Sequence, residues 1–137
     1  MGRILGVDYG DSRIGLALSD PLKMIASPFQ TIRNEGSEKR LQSIQTLTEE
    51  QEVESIVVGL PIGMKGQETA QTKKVREFAD SLSVLNLPIY LEDERLSSVS
   101  AEKSMIIQKI KTGHNKGMID QRAAAILLQQ FLDKQNR

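Results

Sequence analysis

The chain predicts an α/β fold: a five-stranded mixed sheet flanked by helices, in the order βββαβαβαα. Three of its strands form an antiparallel meander and two more are parallel. Two observations carry this reading. Three strand-like runs follow one another across short turns near the start, which implies antiparallel neighbours. Two further runs, rich in β-branched or aliphatic residues, are each preceded by a stretch with helical spacing, which implies parallel pairing through right-handed crossovers.

The first strand spans residues 3–8, an apolar run ending in Asp8. Tyr9-Gly10-Asp11-Ser12 is a turn, because Gly and Asp tolerate unusual backbone angles. The second strand is 13–19 and the third 24–32, where Pro28 suits an edge position. Residues 37–50 carry Leu41, Ile44 and Leu47 at helical spacing. Residues 54–60 form a buried strand rich in Ile and Val. A loop at 61–68 contains Gly63 and Gly66. A second helix covers 69–85, with Val75, Phe78, Ala79 and Leu82 inward. The fifth strand is 87–92 and a third helix runs over 99–110. Residues 113–117 form a loop bounded by glycines, and the last helix runs from Asp120 to about Lys134. No repeat, linker or low-complexity tract interrupts the chain, so 1–137 reads as one domain with one core.

Composition excludes several kinds of chemistry. There are no cysteines and one histidine, which removes disulfides, thiol nucleophiles and multi-His metal sites. Lys plus Arg equals Asp plus Glu at 18 each, which argues against a strongly electrostatic, non-specific nucleic-acid binder. No apolar stretch is long enough to span a membrane and no signal-peptide core is present, so a cytoplasmic location is expected.

The candidate chemistry lies in acids at the tips of core elements. Asp8 ends the first strand and the Asp93-Glu94 pair ends the fifth. Ligands of open α/β sheets gather at the carboxyl ends of parallel strands. Asp120 lies four residues before Ala124, on the face that continues through Leu127, Leu128, Phe131 and Leu132. The small run Ala123-Ala124-Ala125 lets this helix approach the sheet closely. Taken singly, Asp120 could be a helix cap and Asp93 and Glu94 surface turn residues. Acids converging from distant segments instead suit hard cations such as Mg²⁺ or Mn²⁺. Ions held that way suit phosphodiester hydrolysis.

Gly6-Val7-Asp8-Tyr9-Gly10 and Arg13-Ile14-Gly15-Leu16-Ala17-Leu18-Ser19-Asp20 resemble the opening signature of the YqgF/RuvX family. Val58-Gly59-Leu60-Pro61 with Gly66, Asp93-Glu94-Arg95-Leu96-Ser97, and Lys116-Gly117 with Asp120 and Ala123-Ala124 continue the resemblance in the family's order. The resemblance implies an RNase H-like fold related to RuvC-type Holliday-junction resolvases. It also implies a nuclease, labelled both as a resolvase and as trimming the 5′ end of pre-16S ribosomal RNA. It assigns the acidic set to Asp8, Glu94 and Asp120. RuvC-type enzymes carry a glutamate on the fourth strand, whereas here residues 56–61 of that strand have none and the acid comes from the fifth. The choice of Glu94 over Asp93 turns on strand register, since a one-residue shift reverses the face.

Arg13, Lys65, Arg95, Lys111, His114 and Lys116 surround the expected face and are candidate contacts to nucleic-acid phosphates. The loop carrying Lys111, His114 and Lys116 is expected to close over the substrate backbone. Base-stacking equipment is sparse, with two Tyr and three Phe, so recognition by phosphate and shape is expected. Three functions compete. The first is a metal-dependent endonuclease, a monomer or homodimer, acting on precursor rRNA in ribosome biogenesis or on branched DNA. The second is a non-catalytic RNA-binding or ribosome-assembly factor. The third is an actin-like ATP-binding module, which needs two lobes where this length supplies one.

Overall fold

The computed structural model describes residues 2–94 and 116–136. The predicted helix at 99–110, the loop at 113–115 and the residues Arg95, Lys111 and His114 lie outside them. The described elements are β1 (Arg3–Tyr9), β2 (Arg13–Ser19), β3 (Ala26–Arg33), α1 (Ser37–Glu50), β4 (Val53–Leu60), α2 (Ala70–Ser81), β5 (Ile89–Asp93) and α3 (Lys116–Gln135). The sheet order is β3-β2-β1-β4-β5. β1 pairs antiparallel with β2, and β2 with β3. β4 pairs parallel with both β1 and β5. The five-stranded mixed sheet and its meander are therefore as expected, with β1 at the centre.

Each strand alternates between two faces. On one face Leu5, Val7, Ile14, Leu16, Ile56 and Val58 pack with Ile44 and Leu47 of α1 and Val75 and Phe78 of α2. On the other, Ile4, Ala17 and Val57 pack against Ala124, Leu128, Phe131 and Leu132 of α3. At Gly6, an added Cβ would stand 2.8 Å from Cβ of Leu128 and 3.0 Å from the carbonyl oxygen of Ala124. A glycine beneath a helix whose contact face is alanine brings the helix backbone down onto the sheet.

Four boundaries differ from the sequence reading, each for a local reason. The third strand starts at Ala26, because the carboxylate of Asp20 accepts the N–H groups of Met24 and Ile25 and draws both into the turn. Pro28 sits where the β2–β3 register shifts, an irregularity on an edge strand. α2 begins with a capping box between Thr69 and Thr72 and gives way after Ser81 to a 3₁₀ turn, Leu82–Leu85. Asn86, at φ 59°, ends that turn, so β5 starts at Ile89 rather than 87. α3 starts at Lys116, a full turn before Asp120, so Lys116 and Gly117 are helical rather than part of a loop and Asp120 is not its cap.

Candidate active site

Asp8 is 5% exposed near the end of the central strand. Its partner across the antiparallel pair is Gly15 on β2. On its other side, Val7 pairs with Val58 on β4, and Gly59 follows. Alternation from Ile4 and Gly6 turns Asp8 toward α3.

Two glycines let the other acids approach. A Cβ at Gly15 would stand 2.1 Å from the backbone oxygen of Asp120 and 2.7 Å from its Cβ. No side chain larger than hydrogen fits there with α3 in this position. Asp120 therefore stands directly over the cross-strand neighbour of Asp8. A Cβ at Gly59 would lie 2.6 Å from Oε1 of Glu94 and 2.8 Å from Cδ2 of Leu127. Glu94 thus reaches the same face from the opposite flank.

Register separates the two acids that end β5. Glu92 pairs with Gly59 and Asp93 with Leu60. Leu60 belongs to the core under α1 and α2, so Asp93 alternates toward that side. Glu92 faces α3, where its Oε2 accepts hydrogen bonds from Gln130 and from Lys134 Nζ, the latter at 2.7 Å. Glu94, two residues on, returns to the Asp8 face.

The three carboxylates lie on one face without closing into a cage. Among the described residues no three acidic or imidazole side chains are grouped closely enough to hold a metal ion by themselves. The donor set is nonetheless all carboxylate oxygen, which suits hard cations that keep much of their own water. Because Gly15 and Gly59 carry no Cβ, Asp120 and Glu94 come down onto the sheet beside Asp8.

Arg13 does not stand free as a phosphate contact. Its Nε donates to Oδ2 of Asp120 at 2.8 Å, across 107 residues of sequence. Lys65 is exposed in the loop after β4, where its N–H donates to Oε1 of Gln67. The side chain of Lys116 lies outside the described residues.

The sequence reading missed a brace behind Asp8. Nδ2 of Asn34 donates to the carbonyl of Gly10, and Nη1 of Arg40 reaches Oδ1 of Asn34 at 3.2 Å and the Tyr9 hydroxyl at 3.3 Å. The Arg40 guanidinium lies 5.5 Å from the ring centroids of both Tyr9 and Phe78, a cation–π arrangement. The signal was present: Arg40 precedes Ile44 by four residues, which puts a cation on the inward stripe of α1.

A carboxylate-edged mixed sheet with a helix laid across its glycines is the architecture of an RNase H-like domain. In structure the chain is similar to Thermus thermophilus RuvC bound to a Holliday-junction substrate. The TM-score is 0.58 at 16% identity, over 99% of this chain and 96% of that one. It is also similar to the fowlpox virus resolvase in complex with Holliday-junction DNA, with a TM-score of 0.60 at 12% identity over 98% and 99%. The RuvX family model, described as Holliday junction resolvase, matches residues 2–134. The chain belongs to that family. Relatives named "Putative pre-16S rRNA nuclease" include one from Roseiflexus sp., 45% identical over 98% of this chain and 96% of its own length. Another, from Halothermothrix orenii, is 43% identical over 98% and 97%.

Proposed function

We propose that this protein is a divalent-metal-dependent endonuclease that processes the 5′ end of precursor 16S rRNA, with Asp8, Glu94 and Asp120 as its acidic set. The observation behind this reading is the stance of Asp120 over Gly15 and of Glu94 over Gly59, on either side of the buried Asp8. The names of the relatives at 45% and 43% identity support the choice of rRNA.

Asp8, between the other two acids on the central strand, takes the position shared by both sides of the site. Glu94 and Asp120 hold the two flanks. Bound Mg²⁺ or Mn²⁺ supplies Lewis acidity and an activated water at the scissile phosphate. The chain's own part is to keep the carboxylates fixed. The brace from Arg40 and Asn34 to Gly10 stiffens the turn after Asp8, and Arg13 steadies Asp120. Lys65, Arg95, Lys111, His114 and Lys116 remain the proposed contacts to the substrate backbone. The protein acts in the cytoplasm, as a monomer or homodimer.

The test offers one preparation a 5′-extended 16S precursor fragment and a four-way DNA junction, with Mg²⁺ and with EDTA, beside Asp8→Asn. Metal-dependent cutting of the RNA is expected, with a loss of orders of magnitude in Asp8→Asn and an unchanged circular dichroism spectrum. Cutting of the junction alone moves the substrate to branched DNA, the activity that names the family model. Cutting of neither leaves a non-catalytic assembly role.

A further inference from the structure

We infer that Arg13 is a positioning residue for Asp120, fixing the carboxylate through which α3 joins the acidic site. The inference rests on the metal-dependent reading above and gives Arg13 a different task from gripping substrate.

Arg13 opens β2 two residues before Gly15, so both face α3. Gly15 fixes the backbone of Asp120 by contact with its carbonyl oxygen. Backbone contact leaves the side-chain torsions of Asp120 undetermined, and the Arg13 bond settles them. The bond runs from Nε to Oδ2 at 2.8 Å, between side chains 41% and 18% exposed. It is a single bond to one oxygen, so Oδ1 stays outside it. A carboxylate held by one oxygen and open at the other is how outer partners orient a metal ligand. Removing such partners typically costs about 10–100-fold in metal affinity or activity.

The test is calorimetric titration of Mn²⁺ into the folded protein without nucleic acid. It compares wild type, Arg13→Gln, Arg13→Lys, Asp120→Asn and the double variant Arg13→Gln/Asp120→Asn. Arg13→Gln is expected to weaken Mn²⁺ binding about 10–100-fold. Arg13→Lys, which keeps the charge and one donor but not the planar fork, is expected between wild type and Asp120→Asn. In the Asp120→Asn background Arg13→Gln is expected to add nothing, the signature of a residue acting through Asp120.

An Arg13→Gln loss as large in the Asp120→Asn background as in wild type overturns the inference. So does unchanged or tighter binding in Arg13→Gln, since tighter binding marks Arg13 as a competitor of the metal. Should Arg13→Gln fail to fold, Arg13→Lys decides: intermediate affinity supports the role and wild-type affinity overturns it. Wild type that binds no Mn²⁺ overturns this inference and the metal-dependent reading together. Wild type that binds Mn²⁺ beside an unaffected Arg13→Gln overturns this one alone.

Discussion

Gly15→Ala is the sharpest probe of how the site is assembled. The added methyl would stand 2.1 Å from the carbonyl oxygen of Asp120 and 2.3 Å from its carbonyl carbon, whereas ordinary contact begins at 3.4 Å. Both atoms are backbone, so no rotamer relieves the clash and the front of α3 must lift by about 1.3 Å, the difference between the clash and ordinary contact. Over-packing of this kind costs about 1–3 kcal/mol. At about 4 °C per kcal/mol, the melting temperature should fall by roughly 4–12 °C. Displacing a reacting group by about 1 Å costs on the order of a hundredfold in rate. The assay pairs thermal unfolding with Mg²⁺-dependent cleavage of the rRNA fragment. Gly59→Ala is the internal comparison, because its methyl meets the ends of the Glu94 and Leu127 side chains, at 2.6 and 2.8 Å, and both can swing aside. It should cost less stability than Gly15→Ala while still depressing cleavage through Glu94. Wild-type melting and cleavage in Gly15→Ala would refute the contact between α3 and β2 from which the site is built.

Two further outcomes follow from groups away from the acids. Lys134→Met leaves the Glu92 carboxylate, 5% exposed, with Gln130 as its remaining hydrogen-bond donor among the described residues, and should cost about 1–3 kcal/mol in urea unfolding at pH 7. An unchanged midpoint would mean that the half-exposed ammonium contributes nothing. The N–H groups of Ile25 and Met24 hold the Asp20 carboxyl below its ordinary 3.8. Its hold on the β2–β3 turn is therefore present above pH 3.8 and lost as pH falls through the lower, folded-state value. Amide shifts of Met24 and Ile25 should titrate in that acid range and cease to do so in Asp20→Asn.

Much of this architecture was legible because it is written in local periodicity. The runs at β1, β2 and β4 and the stripe of α1 alternate or repeat with little competition from other signals. Boundaries were lost where a side chain captures the backbone. Asp20 takes the amides of Met24 and Ile25, and apolar residues that read as strand become turn. Gly117 read as a loop residue, yet helix packing overrides the propensity of a single glycine within the first turn of α3. Which of Asp93 and Glu94 shares the Asp8 face was legible only through the β4–β5 register. The pairing of Arg13 with Asp120 was not legible, because nothing in either neighbourhood announces a partner 107 residues away. Only the fold shows that Gly15 makes room for the backbone of Asp120.

The order of the acids along the chain bears on when such an enzyme becomes active. β1 sits in the middle of the sheet, and the core under α1 and α2 is built from residues 5–89. Among the described residues, that layer draws on no side chain of α3. Asp120 arrives with α3, which also supplies the cover for Ile4, Ala17 and Val57. On the proposed reading, the complete acidic set and the second apolar layer therefore appear in one event. On that reading, a chain whose α3 has not docked lacks one acid of its set and is inert toward RNA.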